Sequence, residues 1–156
     1  MIKLTRIDDR LVHGQVAFTW TPALSADCLV VANDKVAGDE FQKMALGLAK
    51  PAGARLLIKT IAGAVQFLND ERSQPLKILV LVNSVKDAAD LAAQVPEIRS
   101  VNFGGLRTRE GARSISKAVC LTPEDTETIR TLLGQGLELE VRQVPTDNKQ
   151  AIENLI

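Results

Sequence analysis

The chain has 156 residues, enough for one compact domain spanning 1–156 with its own core, and a single domain is expected. Hydrophobic residues make up 46% and charged residues 24%, and 19 basic residues balance 19 acidic ones, so no excess charge points to nucleic acid or an anionic membrane surface. Aromatic residues are 3%, with no tyrosine, which leaves no row of rings on which bases could stack.

Short runs rich in Val, Ile and Leu predict seven strands in chain order, at residues 2–7, 28–32, 55–59, 77–82, 100–103, 115–121 and 137–144. Between them, apolar residues three or four apart predict helices over 39–49, 61–68, 85–94 and 124–133. Thr122, Pro123, Glu124 and Asp125 read as an N-cap, a first-turn proline and acids suited to the positive end of the last helix, which Gly134 and Gly136 stop. Residues 104–114 read as an irregular loop with a turn of helix. Strands alternating with helices predict an α/β fold: an open, twisted, mainly parallel sheet of about seven strands with helices on both faces.

Cys28 and Cys120 sit in apolar runs without the close pairing of a zinc site or a C-x-x-C motif, and read as two buried structural thiols. MIKLTRIDD at the amino terminus lacks an apolar signal core, and no stretch approaches the roughly 20 apolar residues that cross a bilayer, so a cytoplasmic location is expected.

The only histidine, His13, lies in RIDDRLVHGQV, just beyond the first strand and close to Asp8, Asp9 and Arg10. A lone histidine is commonly a surface or packing residue, but a neutral imidazole is also a nucleophile when a hydrogen bond holds its second nitrogen. Asp8 is placed to supply that bond, Arg10 to neutralise an arriving phosphoryl group, and backbone N–H groups near Gly14 and Gln15 to favour an anion. The alternatives are a helix cap for Asp8 and Asp9 and a surface ion pair for Arg10. Open parallel sheets bind ligands beyond the carboxyl ends of their strands, where Asn33, Asp34, Asn83, Ser84, Gly104 and Gly105 also stand, although all six residues are ordinary turn formers. Trp20 reads as a core or rim residue. Arg107, Arg109 and Arg113 form a basic stretch, either partner-facing or a solvated loop.

Other templates fail. GGLRTREG matches neither the phosphate loop nor the dinucleotide fingerprint, no G-x-S-x-G elbow is present, and one histidine with carboxylates is a poor ligand set for zinc. No metal and no cofactor is expected.

RIDDRLVHGQV closely resembles the phosphorylation-site signature of the IIB subunit of the mannose, fructose and sorbose class of bacterial sugar phosphotransferase systems. VVANDKVA, SVNFGGLRTREG and LELEVRQVPTD resemble later segments of the same family in order and spacing, so the resemblance spans essentially the whole chain. It implies a phosphocarrier in which His13 accepts a phosphoryl group from a phosphohistidine on a phosphorylated IIA subunit or domain and passes it to a sugar delivered by IIC and IID membrane subunits. It also implies that Asp8 orients the ring, that Arg10 stabilises the transferring group, and that association with the membrane is peripheral rather than integral. Ser84, Val85 and Ala32 depart modestly from many relatives. The alternatives are a regulatory module in which His13 senses phosphorylation without passing it on, and a small hydrolase using His13 as base.

Overall fold

The computed structural model of the chain describes residues 1–14 and 16–156. The strands are β1 (Ile2–Asp8), β2 (Cys28–Ala32), β3 (Arg55–Lys59), β4 (Ile78–Val82), β5 (Ser100–Gly105), β6 (Arg113–Ser114), β7 (Cys120–Leu121), β8 (Glu138–Val141) and β9 (Gln150–Ala151). The α-helices are α1 (Thr21–Leu24), α2 (Asp34–Ala37), α3 (Glu40–Leu48), α4 (Ile61–Leu68), α5 (Val85–Gln94) and α6 (Pro123–Gly134). A π-helical turn, Val16–Trp20, leads into α1.

Seven strands form one sheet in the order β3-β2-β4-β1-β5-β8-β9. All its pairings are parallel except β8 with β9. The expected α/β fold is therefore the observed one, because each strand-helix-strand crossover returns the chain in the same direction and covers a sheet face. Side-chain alternation divides the core. Cys28, Val30, Ile78, Val80 and Val82 pack toward α4, α5 and α6, whose Ala64, Leu68, Ala88, Leu91, Ile129 and Leu132 are buried with them. Leu29, Val31, Leu79 and Leu81 point the other way, against Val12, Val16, Trp20, Val36 and Leu46. Burying each such aliphatic side chain contributes about 2 kcal/mol, so strands enclosed on both faces read as unbroken apolar runs.

Helix starts follow from side-chain caps. Thr60, Ser84 and Thr122 each accept the backbone N–H of the third residue of the following helix, and Thr122 with Asp125 completes a capping box. Gly136, at φ +89, reverses the chain after α6, while Gly134 is the last helical residue.

Three expectations need correction. Residues 115–121 do not form a strand of the main sheet: Cys120–Leu121 pairs antiparallel with β6, Val119 makes a single parallel bridge to Leu106 just beyond β5, and Val119 and Leu121 sink into the core. The run is apolar because it is buried, not because it belongs to a ladder. The place of that strand is taken by β9, a two-residue polar edge without an apolar signal. Residues 104–114 contain no helix; β5 continues to Gly105, and an irregular loop with a hydrogen-bonded turn at Glu110–Gly111, closed by the Ala112 N–H to the Arg109 carbonyl at 2.9 Å, leads to β6. The last expected strand, 137–144, stops at Val141, since the backbone of Arg142, Gln143 and Val144 is engaged by Arg6, Trp20 and Asp147 side chains.

Candidate functional site

The chain leaves β1 toward β2 on one side and leaves β5 toward β8 on the other, so β1 and β5 flank a topological switch point, where loops diverge and open a crevice. A cleft of about 600 Å³ lies there, walled by Asp8, Arg10, His13, Gly104, Gly105, Arg107, Lys117 and Cys120 among others.

At its floor, Asp8 Oδ2 lies 2.8 Å from His13 Nε2. The Asp8 carboxylate is saturated by donors: Oδ2 also accepts from an Arg6 guanidinium nitrogen at 3.1 Å, and Oδ1 accepts the Arg10 backbone N–H at 3.1 Å. Leu11, at φ +58, turns the loop back and donates its N–H to the Asp8 carbonyl at 2.9 Å. That turn brings His13 over Asp8. The His13 side chain is 15% exposed and opens to the cleft, and its Nδ1 has no hydrogen-bond partner among the described residues. Burial pushes the Asp8 carboxyl upward, but the His13 hydrogen bond, the Arg6 charge and the Arg10 N–H outweigh it and hold Asp8 below the usual carboxylate value.

Arg6 is 2% exposed and is held from several sides. Besides Asp8 it donates to Asn102 Oδ1 at 2.8 Å and to the carbonyls of Arg142 and Gln143 at 3.1 and 3.2 Å. Its guanidinium stacks 5.0 Å from the Trp20 ring, which Arg142 also approaches at 5.1 Å. Glu140 in turn bonds Arg142 at 2.9 Å and Asn102 at 3.1 Å. Arg6, Asn102 and Glu140 are register partners on β1, β5 and β8, so they form one polar row across the sheet. Burial draws the Arg6 guanidinium below its ordinary value and Asp8 opposes this, yet arginine stays cationic.

Gly104 makes room for this row. The β1–β5 register shifts between Ile7 and Asp8, pairing Asp8 with Gly105, and a Cβ on Gly104 would lie 1.9 Å from Arg6 Cζ. The bulge and the missing side chain together admit the guanidinium.

Among the residues expected at the site, His13, Asp8, Arg10, Gly104 and Gly105 are brought together in the cleft wall. Gly14 is exposed beside them, and Gln15 lies outside the described residues. The remaining four stand elsewhere. Asn33 caps α2, Asp34 accepts the Ile61 N–H at 2.8 Å, Ser84 caps α5, and Asn83 precedes that cap; none of them lines the cleft, because β2 and β4 lie on the far side of β1 from β5. Trp20 is a core residue, 1% exposed. Cys28 is buried as expected, but Cys120 is not: it is half-buried and lines the cleft. Of the basic stretch, Arg107 enters the wall and pairs with Asp9, which accepts its backbone N–H at 2.7 Å and its Nε at 3.1 Å, while Arg109 pairs with Asp125. Sequence reasoning missed Arg6, Asn102, Glu140 and Lys117. The available signal was charged or amide residues inside otherwise apolar strands.

Exposed guanidinium and ammonium groups from Arg10, Arg107 and Lys117 around an imidazole backed by a carboxylate suit an anion such as phosphate. Among the described residues no cluster of three or more His, Cys, Asp or Glu is placed to hold a metal ion.

The sequence profile of the PTS system sorbose subfamily IIB component matches residues 2–156. The chain belongs to this family. A probable phosphotransferase enzyme IIB component of Streptococcus pyogenes is 38% identical over 163 residues, covering 100% of this chain and 99% of that protein. The sorbose-specific EIIB component of Klebsiella pneumoniae is 33% identical over 146 residues, covering 94% of this chain and 89% of that protein. A mannose-specific EIIAB component of Escherichia coli is 35% identical over 156 residues, but they are only 48% of its length. The crystal structure of the IIB domain of the sorbose permease from Klebsiella pneumoniae superposes with a TM-score of 0.93 at 32% identity, covering 99% of this chain and 94% of that one. As a sorbose-subfamily IIB component, the chain is a phosphocarrier and a phosphotransferase component of a sugar phosphotransferase system.

Proposed function

We propose that His13 is the residue that carries the phosphoryl group, receiving it from a phosphohistidine of a IIA subunit or domain and delivering it to a sugar presented by IIC and IID membrane subunits. The observation that carries this reading is the His13 Nε2 to Asp8 bond of 2.8 Å at the floor of an open, cation-walled cleft. With Nε2–H donated to Asp8, the lone pair resides on Nδ1, which attacks phosphorus as the nitrogen–phosphorus bond of the donor breaks. In the second step a sugar hydroxyl oxygen bonds to phosphorus, Nδ1 leaves with its electron pair, and the hydroxyl proton is released.

Such a transfer asks for in-line approach and charge neutralisation more than for further covalent chemistry. Arg10 and Arg107 flank the cleft and neutralise the moving group, while Asp8 keeps the ring oriented. An open site also suits two partners that must reach the same nitrogen in turn. Among the described residues no helix is long and apolar enough to cross a membrane; a cytoplasmic protein that meets the membrane subunits through protein contacts is part of this reading.

Incubation with a phosphorylated IIA donor tests the reading. The expected product is an acid-labile, alkali-stable phosphate that His13→Ala abolishes and that discharges to sugar once the membrane subunits are added. Undiminished labelling of His13→Ala overturns it, and labelling without discharge assigns a sensing role instead.

A further inference from the structure

Asp8 serves two donors with a single oxygen. Oδ2 accepts from His13 Nε2 at 2.8 Å and from Arg6 at 3.1 Å, and Arg6 is itself tied through Asn102 to the Glu140–Arg142 pair. Two guanidinium groups and two carboxylates thus form a balanced, largely buried group behind one imidazole. In such surroundings charge pairs act strongly over short distances.

We propose that Arg6 is a positioning residue of the phosphoryl-transfer site: by sharing Asp8 Oδ2 with His13 it pins the carboxylate and takes up part of its charge, so that the ring is presented neutral with Nδ1 free. A carboxylate left to the imidazole alone would stabilise the imidazolium, which has no lone pair to offer. Arg6 divides that attraction. The construction around it has this consequence at each point: Gly104 lacks the Cβ that would strike Arg6 Cζ, Trp20 covers its plane, and the Arg142 and Gln143 carbonyls fix its fork. Glu140 acts in the opposite sense, since it draws positive charge away from Asp8 through Asn102 and Arg142.

The other charged groups facing the pair are Asp9 and Arg10 on the loop after β1, and Arg107 and Lys117 across the cleft. None of these residues is altered in the Arg6 or Glu140 variants, so a comparison between them reads the charge removed at residue 6 or 140. The inference deepens the reading of His13 as phosphoryl acceptor and rests on it for its meaning, but its test does not need a donor protein.

His13 is the one histidine of the chain, so the rate at which diethyl pyrocarbonate acylates imidazole, followed by absorbance across pH 4 to 9, reports its neutral form alone. The midpoint of that profile is expected to move up by about one pH unit in Arg6→Gln and to move down in Glu140→Gln. Far-UV circular dichroism establishes that each variant is folded. A purely structural role for Arg6 predicts no displacement of the midpoint, or displacements in the same direction, and either result overturns the proposal. If Arg6→Gln does not fold, Glu140→Gln decides by itself, and an unmoved or raised midpoint there overturns it. Absence of phosphorylation of the unsubstituted protein by IIA would instead remove the proposed function and leave this titration standing.

Discussion

Gly104 and Arg6 compete for the same space, and the outcome governs the site. The Arg6 guanidinium is not a free end able to swing aside: Asp8, Asn102 and two carbonyls hold it, so a methyl group at residue 104, 1.9 Å from Cζ, must displace the whole cluster. Gly104→Ala is expected to lose about 3 kcal/mol of stability, read as a lowered urea midpoint. Gly14→Ala places its Cβ where nothing lies within 4 Å and should change stability by no more than about 0.5 kcal/mol. At this scale the histidine and its carboxylate were legible because they are five residues apart, Asp8 at the end of β1 and His13 on the loop that follows. Arg6 was not, since an arginine in a strand reads as solvent-facing until Asn102, 96 residues later, arrives to bury it.

Elements were legible where local chemistry suffices to start and stop them. The helix expected at 124–133 is α6, Pro123–Gly134, because Thr122 and Asp125 satisfy each other's backbone N–H groups. Thr122→Ala removes one half of that exchange and should cost about 1 kcal/mol, measurable as a shift in urea midpoint without loss of helix in the folded state. Asp125 also holds Arg109, so Asp125→Ala would mix two effects and tests the cap less cleanly. The 115–121 run shows the limit of apolar patterning: burial of Val119 and Leu121 leaves the same imprint as a buried strand while the ladder is made elsewhere. The π-helical turn at Val16–Trp20 left no imprint either, although it seats Trp20 over Arg6 and lets Nε1 reach the Gln143 carbonyl at 2.9 Å.

For the whole molecule, the charge cluster links the site to stability. Asp8 has a folded value below its ordinary one, so the unfolded chain binds the proton more readily; stability from this group is complete above about pH 4 and is lost as pH falls through the folded value. Equilibrium unfolding in urea between pH 2 and pH 6 should show stability declining below about pH 4, and Asp8→Asn should flatten that decline while being less stable at neutral pH, where it strands the Arg6 charge. A decline of equal slope in both proteins would show that Asp8 does not contribute. The sequence by itself determined the alternation of strands and helices and the closeness of His13 to Asp8, consequences of period, capping and short spans of covalent chain, and its motifs carried the resemblance to the family whose profile it matches. Tertiary structure alone decided that Arg6, Asn102 and Glu140 meet in one row, that Arg107, Lys117 and Cys120 close the cleft, and that Asn33, Asp34, Asn83 and Ser84 stay outside it. The physical reason is that side-chain alternation specifies which face a residue takes, whereas its neighbours across the sheet depend on strand order and register, and these arise only when distant segments pack.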